Sequence, residues 1–156
     1  MPELPEVETT IRGLRSIIGS CITYIKIHTP KLRFLIPKNI IEIESNIKVI
    51  DIKRKGKYII IFFSNDHSII IHLGMSGRLL LIDCDDYVKK KHDHFIFKTN
   101  NEHFVIFNDS RRFGFIDFDK TNQILNRRYI LNLGADALEL NFNGKYLFSK
   151  ISKKMV

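Results

Sequence analysis

Cysteine is almost absent: Cys21 and Cys84 are the only two in 156 residues, and neither belongs to a C-x-x-C pair. Two isolated thiols cannot build a disulfide framework, which points to a reduced compartment with both side chains acting as small buried hydrophobes. No apolar run approaches the ~18 residues of a membrane helix, so a membrane partner is not expected. The N-terminus carries Glu3, Glu6 and Glu8 where a secretion signal carries basic residues, which argues against export. Acidic residues are also in short supply, 17 against 25 Lys and Arg, giving a formal net charge of +8. That balance favours a polyanionic partner, nucleic acid first. A chain rich in Ile, Lys and Asn is equally what low-G+C coding produces without a binding function. No repeat or low-complexity linker is present, and the length suits one domain, or one domain and the start of another.

Two of only four prolines fall in the first five residues, MPELP. Pro5 with Glu6 and Glu8 reads as a helix start, with carboxylates near the positive end of the helix dipole. Val7, Ile11, Leu14 and Ile18 then fall on one stripe, and Gly19 is a natural stop. From there the period changes. Eight segments rich in β-branched and aromatic residues follow, at 21–28, 47–53, 57–63, 68–74, 78–83, 93–99, 102–108 and 114–118, several of them separated by short polar turns. The pattern predicts a mainly β fold, a two-layer antiparallel sandwich of about eight strands with an N-terminal α-helix. Residues 39–45 read as a short helix and 123–134 as a helix or helical turn.

Four short stretches could carry chemistry. In RKGKY, Gly56 permits close backbone approach and Lys57 opens a strand, although a plain hairpin corner explains both. In HLGMSGR, His72 sits on the strand face opposite Ile71 and Leu73, and Met75 lies in a loop between Gly74 and Gly77. An apolar side chain at the tip of such a loop suits a wedge between bases, and an ordinary Gly-rich turn is the alternative. In NDSRRFGF, Arg111 and Arg112 adjoin Phe113, the composition of a tip that stacks on bases and contacts phosphates, or of a charged turn with a buried Phe. In KHDHF, His92 and His94 could form half a metal site. No matching pair exists elsewhere, so a structural hydrogen-bonding role is expected and no metal or other cofactor is assigned.

In combination and order, PELPEVET, GKY, HLGMSG, DHF, NDSRRFG, LGADALE and FNGKYLF resemble the formamidopyrimidine-DNA glycosylase family of base-excision repair. Leu4, where the related endonuclease VIII branch typically has Gly, points to the formamidopyrimidine side. The resemblance implies a bifunctional glycosylase and AP lyase acting on oxidised purines such as formamidopyrimidine and 8-oxoguanine. Removal of Met1 would leave Pro2 as a secondary amine able to form a Schiff base with the deoxyribose. Glu3 then matches the catalytic acid, Glu6 a supporting acid, and Lys57 a lysine near the lesion phosphate and sugar. His72 matches a phosphate contact, while Met75, Arg111 and Phe113 match the trio entering the duplex, with Arg112 beside them. The implied partner is double-stranded DNA with damaged bases or abasic sites, bound by a monomer in a bacterial, nucleoid-associated setting.

Family members continue into a helix–two-turn–helix domain and a four-cysteine zinc finger. The expectation is therefore a catalytic sandwich over 1–120, a linker and truncated start of the helical domain over 121–156, and no zinc finger. A truncated, non-catalytic DNA-binding remnant of the same family is the rival reading. An RNA-binding β-barrel explains the charge but not the PELPEVE terminus.

Overall fold

The computed structural model describes residues 1–43, 46–136, 140 and 142–152. Helix α1 runs over Leu4–Leu14. Its start is set by reciprocal capping: the Glu3 carboxylate accepts the Glu6 backbone N–H, and the Glu3 N–H donates to Glu6 Oε2 at 3.0 Å. Val7, Ile11 and Leu14 are buried as the stripe requires. The stripe then ends one residue early. After Leu14 the helix tightens into a 3₁₀ turn, Arg15–Ile17, which turns Ile17 into the core and leaves Ile18 exposed.

Eight strands follow: β1 Ile22–Ile27, β2 Val49–Lys55, β3 Tyr58–Phe63, β4 His67–His72, β5 Arg78–Asp83, β6 Asp93–Thr99, β7 His103–Asn108 and β8 Phe115–Lys120. They form two four-stranded sheets of order β1-β6-β7-β5 and β2-β3-β4-β8, with every pairing antiparallel. This is the expected sandwich. Phe63, Phe95, Phe97 and Phe107 fill its interior with Ile59, Ile61, Ile69 and Ile71, and α1 packs across β2, β3 and β5 to add its own stripe.

The runs YIIIFF and SIIIH do not alternate apolar with polar because β3 and β4 are covered on both faces. Ile60, Ile70 and Phe115 point away from the sandwich interior into a second cluster with Ile124 and Ile130. Those last two belong to α2 (Thr121–Leu125) and α3 (Arg128–Leu131), so the helix expected over 123–134 is two short pieces. Helix α4 spans Gly144–Ile151. The helix expected at 39–45 is a 3₁₀ segment, Lys38–Glu42, and the end of that stretch lies outside the described residues, as does the end of LGADALE. Both cysteines are half-buried and unpaired rather than core hydrophobes, because each sits where a strand meets its turn. Among the described residues no helix is long and apolar enough to cross a membrane.

Candidate active site and nucleic-acid interface

Each of the three N-terminal glutamates has a different partner. Glu3 reaches across to the β2–β3 hairpin, where its Oε2 lies 2.6 Å from Lys57 Nζ, with both side chains half-exposed. Gly56 turns that hairpin in the left-handed region, at φ 58°, which places Lys57 in the turn immediately before β3. Glu6 closes the helix cap and lines a cavity. Glu8 binds Arg54 at 3.2 Å, and Arg54 also donates to the Gly56 carbonyl and to Asp136. The hydrogen bond to Asp136, ahead of that to Glu8, holds the Arg54 pKa above its ordinary value despite burial. The chain end is thereby anchored at three points.

Pro2 borders a cavity of 690 Å³ together with Met1, Glu6, Met75 and Ser76. A second cavity of 570 Å³ adjoins it, and Met1 and Met75 line both. Its walls carry Arg33, His72, Arg111, Arg112 and Phe113, and no carboxylate lines it. The structure thus brings together the residues singled out in the sequence, from Pro2 and Glu6 through Met75 to Arg111–Phe113, with Lys57 joined through Glu3. Met75 is 43% exposed and Phe113 is 44% exposed, so both project apolar surface into solvent. The Arg111 guanidinium lies 4.8 Å from the Phe113 ring centroid. Arg112 holds a positive φ of 56°, which turns the loop sharply back toward β8.

The two projecting loops are fastened to each other through Asp109, a fully buried carboxylate. Its Oδ1 accepts from Ser76 Oγ at 2.5 Å and from the Arg111 N–H at 3.2 Å, and its Oδ2 accepts from the Gly114 N–H at 2.8 Å. The backbones touch beside this staple. A Cβ on Gly74 would fall 2.4 Å from Gly114 N, so only glycine fits, and its φ of +64° demands the same residue. His94 serves the same join: its Nε2 bonds the Asp109 carbonyl oxygen at 2.7 Å and its Nδ1 bonds Thr29 Oγ1 at 2.8 Å. The structural role expected of KHDHF holds for His94, while His92 precedes β6. Among the described residues no group of His, Cys, Asp and Glu could hold a metal.

His72 Nδ1 accepts the Gly74 N–H at 3.1 Å, so the neutral ring carries its proton on Nε2. The ring stacks on Phe115 with 14° between planes. Burial, reinforced by Arg33 and Lys57, pushes its pKa below the ordinary value.

Residues 1–116 match the model of the formamidopyrimidine-DNA glycosylase N-terminal domain. The chain belongs to the formamidopyrimidine-DNA glycosylase family. It is 41% identical over 157 residues to the formamidopyrimidine-DNA glycosylase of Rickettsia bellii, covering 100% of this chain and 57% of that protein. It is 44% identical over 152 residues to that of Zymomonas mobilis, covering 97% and 55%. The Lactococcus lactis enzyme bound non-covalently to DNA containing an AP site is similar with a TM-score of 0.83 and 31% identity, over 97% of this chain and 58% of that one. The same enzyme with DNA containing N7-benzyl-Fapy-dG gives 0.73 and 33%, over 83% and 47%. The chain therefore spans little more than half the length of these relatives.

Sequence reasoning missed several contributors to the site. Asp109 and Ser76 were in view inside quoted motifs, but their types alone do not distinguish a staple from a turn. Arg33 lies outside every motif, and its entry into the second cavity depends on its backbone N–H donating to the Gly114 carbonyl at 3.2 Å. Met1 gave no signal of lining both cavities.

Proposed function

We propose that this chain carries the chemistry of a glycosylase and AP lyase for oxidised purines, acting on the deoxyribose of damaged DNA through the Pro2 amine once Met1 is removed. The observation carrying this reading is the Glu3–Lys57 pair beside Pro2, at a cavity that opens onto a second one lined by cations and apolar tips. With Met1 in place the Pro2 nitrogen is an amide and cannot attack. Removing Met1 frees the amine and also withdraws a side chain from both cavities.

The chemistry favours a chain end. An α-amino group with pKa near ~8 is about one-tenth unprotonated at pH 7, whereas a lysine near ~10.4 is unprotonated about once in two thousand. The Pro2 nitrogen attacks C1′ of the open sugar and the carbonyl oxygen leaves as water. One of the two protons for that water comes from the amine and the other from an acid. The cationic iminium then acidifies C2′–H, and loss of that proton expels the 3′ phosphate. Glu3, adjacent to the amine and bonded to Lys57, is the group that moves protons at the sugar oxygen. Met75, Arg111 and Phe113 fill the space that a flipped nucleotide leaves, which offsets part of the few kcal/mol of lost stacking. His72 offers a phosphate its Nε2 proton, and Arg33, Arg111 and Arg112 supply charge.

Borohydride trapping on duplex DNA with an abasic site tests the reading, beside an excision assay on an 8-oxoguanine duplex. The polypeptide without Met1, ending in a free Pro2 amine, is expected to trap. Trapping needs only an amine and an accessible aldehyde. Excision also needs the base extruded and held, which draws on binding energy over a larger surface, and the same polypeptide is expected to excise poorly. Pro2→Gly should retain some trapping, and retention of Met1 should abolish it. No trapping with a confirmed free Pro2 would favour the non-catalytic DNA-binding remnant.

A further inference from the structure

The outer face of the β1-β6-β7-β5 sheet carries a groove of 560 Å³ that shares no residue with either cavity of the cleft. Cross-strand pairing sets its floor. Tyr24 of β1 lies opposite Lys98 of β6, which lies opposite Phe104 of β7, so three adjacent strands present ring, ammonium and ring in one row. Neighbouring strands are about 4.8 Å apart, so the two rings are separated by about the width of a nucleobase with the lysine stem between them. In the next row along β1, Lys26 faces Ile96. The segment after β5 folds over one rim: Tyr87 packs on Phe104 with ring centroids 5.0 Å apart and donates its hydroxyl to Asp93 at 3.2 Å. That segment also brings Lys89 to the groove.

The charge here is one-sided. No carboxylate lines the groove, and among the described residues neither Lys26 nor Lys89 is in an ion pair, while Lys98 meets Glu102 at 2.7 Å. Tyr24 is 43% exposed, an aromatic ring presenting part of its surface to solvent on the sheet. His28 lies at the same groove with its Nε2 buried and lacking a hydrogen-bond partner, a polar capacity the protein itself leaves unmet. An exposed ring on a sheet flanked by lysines favours an unpaired base, because a base inside a duplex cannot offer its face to it.

We propose that this groove is a second DNA site, separate from the cleft, that takes a single strand: a base stacks on Tyr24, with Phe104 and Tyr87 walling the groove beside it, and the flanking phosphates meet Lys26 and Lys89. The site does not depend on Pro2 chemistry. It would hold an unpaired segment near a break while the cleft engages the damaged sugar.

The test uses fluorescence anisotropy of the chain with Met1 removed and labelled dT12, with trapping on abasic duplex as the independent readout of the cleft. Tyr24→Ala should weaken dT12 binding about tenfold, since stacking on one ring is worth about 1–3 kcal/mol. Lys26→Ala with Lys89→Ala should lower the slope of log affinity against log salt by about 1.4, at about 0.7 per phosphate contact on single strands. Trapping by both variants should equal that of the parent, and their thermal unfolding should match because the altered side chains are exposed. Binding of dT12 within twofold of the parent in both variants would overturn the proposal. So would loss of dT12 binding on Phe113→Ala but not on Tyr24→Ala, or equal loss for dT12 and a 12-base-pair duplex. If the parent itself fails to trap while Tyr24→Ala still loses dT12, the proposed lyase reading fails and this one stands.

Discussion

Replacing Asp109 by asparagine isolates the staple between the two projecting loops. The side chain keeps its shape, but one carboxylate oxygen becomes an NH₂ group. Oδ1 takes two donors, from Ser76 and Arg111, so the amide oxygen is best placed there, and the NH₂ then faces the buried Gly114 N–H. Two donors oppose each other, the Gly114 N–H loses its partner, and the remaining bonds lose their charge assistance. A buried donor left unsatisfied costs about 1–3 kcal/mol, and weakening a charge-assisted bond about 1 kcal/mol more, so ~3 kcal/mol is expected in all. For a domain of this length that corresponds to a fall of roughly 6–12 °C in Tm. Ser76→Ala, which removes one donor and strands no buried group, should cost only about 1 kcal/mol. Calorimetry on both variants gives the comparison, and binding to an abasic duplex should fall further for Asp109→Asn than for Ser76→Ala. A Tm for Asp109→Asn within about 1 °C of the parent would refute the staple, since the carboxylate would then be dispensable to the fold.

Three further outcomes follow from the site. Glu3→Gln keeps an oxygen to accept the Glu6 N–H but loses the ion pair with Lys57, so stability should change by less than about 1 kcal/mol while trapping on abasic DNA drops, read by denaturant unfolding and gel-resolved adducts. Gly74→Ala should destabilise by about 3 kcal/mol or more, because its Cβ meets backbone at 2.4 Å, whereas Gly13→Ala in α1, where nothing lies within 4 Å, should stabilise by about 0.5–1 kcal/mol. His72 has a folded pKa below its ordinary 6.5, so the unfolded chain binds the proton first. Its contribution is whole above that value and is lost as pH falls below it, by up to about 1.4 kcal/mol per pH unit. His72→Phe should flatten that acid limb in urea titrations, with His28, shifted the same way, retaining part of the slope.

The fold was legible because its signals are local. Each strand announces itself by a run of β-branched and aromatic residues, and each hairpin by a short polar turn, so all eight strands fall within a few residues of their expected bounds. The projecting tips were legible for a related reason: an apolar Met75 between two glycines, or Phe113 after two arginines, is out of place in a surface loop unless it meets a partner. What failed did so where geometry departs from its period. Ile18 lost its place in the stripe to Ile17 because a 3₁₀ turn advances the chain faster than an α-helix does, and periodicity counted at 3.6 residues cannot register the change.

The groups that hold the site together were hidden because their partners are distant in the chain. Ser76 and Asp109 are separated by 33 positions, Glu8 and Arg54 by 46, and Arg54 and Asp136 by 82. An aspartate after an asparagine in a loop reads as a turn former whether or not it fastens a second loop. The Arg54 network makes the stakes plain: the guanidinium side chain is only 9% exposed, as is that of Asp136, so the charge is carried by its carboxylate partners and not by water. Breaking a buried pair strands a charge at a cost of about 3–5 kcal/mol. The network therefore ties α1, which carries the N-terminus, to the β2–β3 hairpin bearing Lys57 and to the segment following α3. The sequence advertises the residues that project at the cleft, since their chemistry is unusual at a surface. It conceals the residues that hold them in place, whose chemistry becomes distinctive only once the fold has brought them together.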